Sequence, residues 1–406
     1  MVHVVFVAPF LLEATLRFVK GAALLPGVRL SLVTQESPGK IPEAIAERLA
    51  ASRQVQDALD PDQLAVTMSD LARELGPVHR VLAALEQLQV PLAEVRARLG
   101  IPGMDVETAH NFRDKSRMKT LLRQSGIPCA RHALIHDAAE ARAFVEAVGY
   151  PVVVKPPAGA GAKQTFRLEG ARDLTEYLSF YAPRADDPTL FEEFMTGQEH
   201  SFDSVCIRGN PVWYSITRYY PSPLEVMENP WVQWCVILPR EVEGPEYADI
   251  RRHGSHSLRV LGLQTGLTHM EWFRRPDGGL AISEVAARPP GAQFTTLISY
   301  AHDLDFYKAW PRLLVHEEFD PPERSFAAGA VFLRGQGEGK VKAIHGVEQA
   351  QKEIGSLVVE AKLPRPGQPA ATGYEGEGYV IVRHPETALV EQALARVLKL
   401  IRVELG

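Results

Sequence analysis

Residues 281–291 read AISEVAARPPG, a stretch that joins an apolar strand to an acid, an arginine and a stiff turn. Ala281 and Ile282 lead into Glu284, and Arg288 follows four residues later, before two prolines and a glycine. The acid and the base could simply neutralise one another as an ion pair at a strand end. They could also hold a metal ion and an anion side by side, because carboxylates bind hard cations and a fixed guanidinium binds oxyanions.

A second acid stands on the strand that precedes this one. The runs LTHMEWF (267–273) and GLAISEV (279–285) are predicted to pair as a hairpin around a proline- and glycine-containing turn. Glu271 and Glu284 then lie close together, where like charges repel unless a cation or solvent separates them. Magnesium prefers carboxylates together with phosphate oxygens, and Arg288 could stabilise charge on a reacting phosphate or carboxylate. The alternative remains an ion pair between Glu284 and Arg288.

The strand that ends at Lys155 is followed by a glycine-rich loop. The sequence VVVKPPAGAGAKQ (152–164) places Gly159 and Gly161 where backbone N–H groups could approach phosphate oxygens, and the lysine adds a positive charge. The Walker pattern G-x-x-x-x-G-K-[ST] is absent, and the spacing predicts a strand, a turn and another strand. The other interpretation is an ordinary hairpin turn with a solvated lysine.

The segment FEEFMTGQE (191–199) continues an apolar strand into paired acids. A purine needs a hydrogen-bonding edge between apolar faces, and a ribose diol suits a carboxylate acceptor. The side chains that could meet these needs are Glu192, Glu193, Phe194, Met195 and Glu199. The alternative is an exposed hairpin with solvated acids.

Composition restricts the class of protein. The chain has 406 residues, 46% hydrophobic and 23% charged, with a formal net charge of -6. These totals predict a globular protein of two or three domains and provide no basic surface for nucleic acid. Cys129, Cys206 and Cys235 form no C-x-x-C pair, which argues against disulfides and structural zinc. Without a signal-peptide pattern or an apolar run of about 20 residues, we expect a cytoplasmic protein that does not contact a membrane.

Hydrophobic periodicity predicts a chain of three parts. A β-α-β opening in residues 1–110 predicts a parallel sheet with helices on its faces, and the G-x-G-x-x-G dinucleotide pattern is missing. Residues 111–324 contain the loop and the hairpin, with a strand-rich flap subdomain at about 128–196. Residues 325–406 begin a new pattern, which we interpret as a small α+β unit. The stretch 218–240 is interpreted as polar and aromatic, without an assigned strand.

The order of these features resembles the ATP-grasp superfamily of carboxylate–amine ligases, from about Asn111 to Tyr307. GLTHMEWF and ARPPG are most similar to the amino-acid ligases that form dipeptides. In addition, RDKSRMK (113–119) resembles the family's segment with its first nucleotide lysine. The resemblance implies nucleotide-binding lysines at Lys115 and Lys155, a phosphate loop with Gly159 and Gly161, an adenine hinge at Glu192, Glu193, Phe194 and Met195, a ribose acid at Glu199, metal acids at Glu271 and Glu284, and a catalytic arginine at Arg288.

The same resemblance implies an architecture and a reaction. The architecture has an N-terminal parallel α/β domain, central ATP-grasp sheets and a small C-terminal α+β unit. The reaction transfers the γ-phosphoryl group of ATP to a carboxylate, and an amine then displaces phosphate from the acyl phosphate. One or two Mg²⁺ ions, replaceable by Mn²⁺, would assist, and a homodimer is compatible with the family. The alternatives are biotin-carboxylase-like, purine-pathway-like or kinase-like chemistry, and a non-catalytic nucleotide-binding protein.

One position departs from the family pattern, and the substrate side is less defined. Ala286 stands where the family commonly has a metal-binding asparagine, which implies a bridging Glu284, one weaker ion or a degenerate site. Side chains that could contact the substrates are His269, Gln293, Thr295, Trp231 and Trp234. For the histidine and the tryptophans, packing in the core is an equally open interpretation.

Overall fold

The computed structural model describes residues 1–159, 164–229 and 231–406, and the first part of the chain builds a parallel sheet. Its strands are β1 (Val2–Val7), β2 (Val28–Thr34), β3 (Leu49–Gln54) and β4 (Arg80–Leu82). Its helices are α1 (Glu13–Ala23), α2 (Glu43–Ala46), α3 (Pro61–Leu75) and α4 (Gln89–Leu99), with short 3-10 turns at Pro38–Lys40 and Glu86–Leu88. The order β3-β2-β1-β4 confirms the predicted opening, while β3 had no predicted counterpart because LAASRQ lacks an apolar alternation.

The flap subdomain is a small antiparallel sheet that carries the glycine-rich loop. Two helices, α5 (Val106–Arg113) and α6 (Lys115–Gln124), lead into strands β5 (His132–Ile135), β6 (Val152–Lys155), β7 (Phe166–Leu168) and β8 (Thr189–Glu193), with helices α7 (Ala138–Val148) and α8 (Ala171–Phe180) between them. The strand order is β5-β8-β6-β7, so the predicted strand-turn-strand is present as the β6–β7 pair. The predicted Gly161 lies outside the described residues.

A central antiparallel sheet supports the hairpin with Glu271 and Glu284. Its first elements are β9 (Gln198–Ile207), β10 (Asn210–Tyr220), α9 (Pro223–Glu228), β11 (Trp234–Leu238), a 3-10 turn at Pro245–Tyr247, α10 (Ala248–Leu261), β12 (Gly266–Arg274) and β13 (Leu280–Ala286). The interpretation of 218–240 without a strand was wrong, since this stretch contains the end of β10 and all of β11. The misreading arose because β11 is buried along its whole length and therefore shows no alternation.

The C-terminal segment completes this same sheet. It follows helices α11 (Phe294–His302) and α12 (Phe306–His316) and comprises β14 (Ala327–Leu333), β15 (Val341–His345), α13 (Val347–Ile354), a 3-10 turn at Gly355–Leu357, β16 (Val358–Lys362), β17 (Gly378–His384), α14 (Thr387–Leu400) and β18 (Arg402–Leu405). The order β13-β12-β9-β10-β11-β14-β17-β16 shows that three of these strands extend the central sheet. Pairing of β11 with β14 covers an edge that either segment would otherwise expose. The predicted fold class is confirmed, and the boundaries at 110 and 324 stay predictions.

Close helix packing fixes the first part of the chain against the central part. A Cβ atom added at Gly21 of α1 would lie 2.1 Å from the Tyr307 carbonyl oxygen of α12, so only glycine permits this approach. Phe18 packs its ring 4.7 Å from the ring of Tyr307 and 5.1 Å from that of Trp310. This contact between α1 and α12 fixes the N-terminal sheet against the central part of the chain. Within the described ranges, no helix is long and apolar enough to cross a membrane.

Burial of His200 on strand β9 of the central sheet leads to a pH prediction. Its ring stacks 4.4 Å from that of Trp272, and burial lowers the pKa of His200 to about 4, against 6.5 in the unfolded chain. Between these values only the unfolded state binds the proton, so stability present above pH 6.5 is lost as pH falls towards 4. The expected loss is about 1.4 kcal/mol per pH unit.

We therefore expect His200→Phe, which keeps a stacked ring, to be less acid-sensitive than wild type. Urea unfolding at pH 7.5 and pH 5 measures the difference. Equal pH dependence of the two proteins would show that this imidazole does not titrate on unfolding.

Candidate active site

One cavity of about 830 Å³ lies where the N-terminal sheet, the flap and the central sheet meet. The predicted residues that line it are Lys115, Lys155, Gly159, Glu192, Glu193, Phe194, Met195, Glu199, Trp234, His269, Glu271, Glu284, Arg288, Gln293 and Thr295. Trp231 does not line it and is 64% exposed, because it follows α9 at the surface. Motifs more than a hundred positions apart in sequence thus converge on one cavity.

Lys115 connects the flap to the β12–β13 hairpin. It is the first residue of α6, whose N-cap Asp114 accepts from two backbone N–H groups of the first turn. The Lys115 Nζ atom lies 2.9 Å from Glu284 Oε1 and donates to the Gly159 carbonyl oxygen at 2.9 Å. A cation held between the loop and the hairpin is placed to meet an anion that enters the cavity between them.

Glu192 belongs to a buried ion-pair network in addition to lining the cavity. Its Oε2 atom is 2.9 Å from Lys155 Nζ, and its Oε1 atom is 3.4 Å from Lys119 Nζ. Burial raises the pKa of Glu192, but the two lysines outweigh it and hold the pKa below its usual value. The carboxylate that we expected at an adenine hinge is therefore also the counter-ion of Lys119 on α6 and of Lys155 at the end of β6.

Sequence analysis missed Lys119, which is fully buried. Its Nζ atom donates to the Ser283 carbonyl oxygen, so it ties α6 to β13 directly beside Glu284. Burial lowers the pKa of Lys119, and Glu192 opposes that shift. The available signal was its spacing, since residues four apart on α6 share one helix face and Lys115 was already assigned to the cavity.

The other residues predicted for the adenine hinge, Glu193, Phe194 and Met195, also line the cavity. Glu193 Oε2 lies 2.6 Å from Arg131 Nε, and the backbone N–H of Phe194 donates to the Pro151 carbonyl oxygen at 3.2 Å. The Arg167 guanidinium lies 4.0 Å above the centroid of the Phe194 ring. The Phe194 ring is thus covered by a guanidinium on one face, and its backbone N–H group is already bonded within the flap.

Glu271 and Glu284 face one another across the β12–β13 hairpin, with an irregular register just after Glu271. Burial would raise the pKa of Glu284, but Lys115 and Lys155 hold it at about 2, so this group is a carboxylate at neutral pH. No cluster of three or more metal-binding side chains exists among the described residues. Two facing carboxylates that line the cavity nevertheless fit Mg²⁺, which takes most of its ligands from phosphate and water.

Ala286 is buried and pairs with His269 across the hairpin, so it adds no ligand. Glu199 lies nearby on β9, where burial and the Glu271 carboxylate raise the pKa of Glu199 well above its usual value. A neutral carboxyl group donates one hydrogen bond and accepts others, which still suits a hydroxyl partner.

Arg288 is held by a glutamate that sequence analysis did not identify. The Nε and Nη2 atoms of Arg288 donate to Glu86 Oε2 at 3.1 and 2.9 Å, and Arg113 Nη1 donates to Glu86 Oε1 at 3.2 Å. Glu86 is only 4% exposed and lies in the 3-10 turn after β4, which belongs to the N-terminal part. Nothing in the run LAALEQLQ signals this role, because its partners lie far away in sequence.

The substrate-side residues are mostly engaged with their neighbours. His269 Nδ1 lies 2.7 Å from Asp203 Oδ1, and Gln293 Oε1 accepts from the Thr296 hydroxyl at 2.8 Å. Thr295 donates to the Pro290 carbonyl oxygen at 3.3 Å, which braces the turn after Arg288.

Trp234 is 1% exposed and packs its ring 4.8 Å from that of Tyr374, a cavity residue contributed by the C-terminal segment. Trp234 therefore packs in the core and also lines the cavity, and its contact with a substrate stays a prediction.

Comparison with known proteins agrees with this geometry. Residues 120–302 match the ATP-grasp domain family. The crystal structure of an L-amino acid ligase from Bacillus licheniformis superposes with a TM-score of 0.80, at 18% identity, covering 100% of this chain and 99% of that one. The structural likeness shows the fold, and the matched residues show that the chain contains an ATP-grasp domain.

Two sequence relatives match most of the chain. An L-arginine-specific L-amino acid ligase of Bacillus subtilis is 24% identical over 318 residues, which span 75% of this chain and 74% of the relative. The protein y4rH of Sinorhizobium fredii is 25% identical over 379 residues, which span 91% of this chain and 76% of the relative. Residues 120–302 of the chain therefore belong to an ATP-grasp domain, and its relatives include an amino acid ligase.

The Glu86 bridge leads to a prediction about catalysis. Glu86→Gln keeps the shape of the side chain but removes the charge that orients Arg288. We expect kcat to fall about ten- to a hundredfold, because small displacements of a reacting group are costly, while the KM for ATP changes little. Initial rates at varied ATP measure this split.

The matched control is Glu94→Gln, which removes another glutamate–arginine pair, on the exposed side of α4. An unchanged kcat in Glu86→Gln, or an equal loss in the control, would contradict the positioning role.

Proposed function

We propose that the chain activates an amino-acid carboxylate with ATP as an acyl phosphate and joins it to an amine. The observation that carries this proposal is the convergence of Lys115, Lys155, Glu271, Glu284 and Arg288 on one cavity. Phosphoryl transfer depends mainly on positioning and charge neutralisation, which a set of two cations, two carboxylates and a fixed arginine provides. The similarity to amino acid ligases supports the choice of substrate class.

Each side chain has a role in this scheme. Lys115 and Lys155 hold the α- and β-phosphates, while Glu199 binds a ribose hydroxyl and the ring of Phe194 packs on the adenine. Glu271 and Glu284 would hold Mg²⁺, which neutralises charge on the phosphates when bound. Arg288 neutralises the γ-phosphoryl group during transfer and then the oxygens of the acyl phosphate.

The bonds change in two steps. A carboxylate oxygen attacks the γ-phosphorus and ADP leaves; the amine nitrogen then attacks the acyl carbon, loses a proton and expels phosphate. The walls from the N-terminal sheet and from Tyr374 help to exclude water from the reactive acyl phosphate.

A screen of amino-acid pairs with ATP and Mg²⁺ tests the proposal. The expected result is phosphate release that requires both an acid and an amine, with an amide of the pair detected by mass spectrometry. Release with an acid alone would favour kinase-like or carboxylase-like chemistry. ATP binding without ADP formation across the whole panel would identify a non-catalytic nucleotide-binding protein.

Lys155→Met tests the proposed contact between Lys155 and the phosphates of ATP separately from catalysis. Glu192 keeps Lys119 as a counter-ion in this variant, so we expect the fold to persist. The loss of one charge-assisted contact should weaken ATP binding about tenfold or more. Calorimetric titration with a non-hydrolysable ATP analogue measures it, and the exposed Lys352→Met serves as control. Unchanged affinity would remove Lys155 from the nucleotide site.

A further inference from the structure

A second, smaller cavity of about 100 Å³ lies behind the wall that carries Arg288. Leu88 and Ala287 line the small cavity, while Glu86 and Arg288 line the large one. The segments 86–88 and 287–288 thus separate the two cavities. The small cavity faces α4 and α12, on the side away from the proposed nucleotide residues.

Two arginines line the small cavity and find only backbone partners there. Arg96 Nη2 donates to the Val81 carbonyl oxygen at 2.8 Å, while its Nη1 atom is buried and has no hydrogen-bond partner among the described residues. Arg80 Nε donates to the Leu314 carbonyl oxygen at 3.2 Å, and its Nη1 to that of His79 at 2.9 Å. Neither guanidinium has an anionic partner among these contacts. Leaving the buried part of a guanidinium without a counter-charge is costly.

The carboxylate that also lines the small cavity is already engaged. Glu317 Oε2 lies 2.8 Å from Arg208 Nε, and its Oε1 accepts from the Thr265 hydroxyl at 3.4 Å. The 100–104 loop keeps Arg96 in place, because a Cβ atom at Gly103 would come within 2.8 Å of the Arg96 side chain. Burial lowers the pKa of Arg96 to about 10, which is consistent with a cation that has no anionic neighbour.

The geometry points to a binding site for a small oxyanion, with Arg96 and Arg80 as its cationic ligands. Guanidinium groups present paired N–H donors that match the oxygens of phosphate and carboxylate groups. The small cavity, at about 100 Å³, is smaller than the cavity of about 150 Å³ that accommodates benzene, so it admits an inorganic phosphate or a short carboxylate but no nucleotide. The site is therefore distinct from the nucleotide cavity, although it shares a wall with it.

Calorimetric titration of the full chain with inorganic phosphate tests this site. We expect Arg96→Gln to weaken phosphate binding at least about tenfold, since it removes a charged donor. The matched control is Arg98→Gln, on the same helix but exposed and paired with Asp62 and Glu94, which should leave binding unchanged. Phosphate that binds beside Lys155 in the large cavity would instead be lost in Lys155→Met and kept in Arg96→Gln.

A second titration with acetate distinguishes the two sources of an oxyanion. Binding of both anions identifies a general carboxylate and phosphate site, whereas binding of phosphate alone identifies a phosphate-group site. If Arg96→Gln does not fold, as judged by circular dichroism, Arg80→Gln replaces it with the same expected loss. The inference is overturned if neither anion binds wild type, or if phosphate binding is lost in Lys155→Met and kept in the arginine variant.

Discussion

Arg288→Ala is expected to lower kcat by about a hundred- to a thousandfold, the usual effect of removing a donor that stabilises transition-state charge. In the structure this guanidinium points into the cavity from the end of the β13 turn and is oriented by Glu86. Nucleotide affinity should survive, because Lys115 and Lys155 hold the phosphates in the proposed scheme. Arg288→Lys should recover only part of the rate, since an ammonium group lacks the planar fork of donors.

Turnover of the acid and amine pair, together with calorimetric titration of an ATP analogue, measures both effects. Arg275→Ala is the matched control, because Arg275 is an exposed arginine at the tip of the same hairpin. If Arg288→Ala retained near-normal turnover, its catalytic role would be wrong. If ATP affinity fell in parallel with kcat, Arg288 would be a nucleotide ligand instead.

Glu284→Gln is the second variant with a large expected effect. The substitution preserves the shape of the side chain but removes the charge that Lys115 and Lys155 stabilise and that would hold Mg²⁺. We expect turnover to fall at least about a hundredfold, since metal charge neutralisation contributes several kcal/mol. The apparent affinity for Mg²⁺ should fall by more than about tenfold.

Rates measured across a range of Mg²⁺ concentrations test this prediction, and partial recovery at high Mg²⁺ is the specific sign of a lost ligand. Asp277→Asn, an exposed acid in the hairpin turn, is the control. A rate loss that Mg²⁺ does not affect would show that Glu284 acts only as the partner of Lys115. A comparison with Glu271→Gln then tells whether both acids share the ion, which matters because Ala286 adds no ligand.

The C-terminal segment shows where prediction from sequence stops. The segment was interpreted as a small α+β unit, and the membership of β14, β16 and β17 in the central sheet was not predicted, because strand pairing is decided by which edges meet in space. The strand at Trp234–Leu238 was missed for a related reason. It is covered on both faces, and a strand without an exposed face loses the alternation by which strands are recognised.

The sequence by itself determined the fold class and the order of the glycine-rich loop, the acids and the arginine, and therefore the resemblance to the ATP-grasp family. These features are local, since each depends on residue types at fixed short spacings. Only the tertiary structure decided which charges are paired. Arg288 and Glu86 are 202 positions apart, and the buried Lys119 meets Glu192 only when α6 packs beneath the flap. An ion pair between distant elements depends on distance and burial, and neither quantity is recorded in the spacing of residues along the chain.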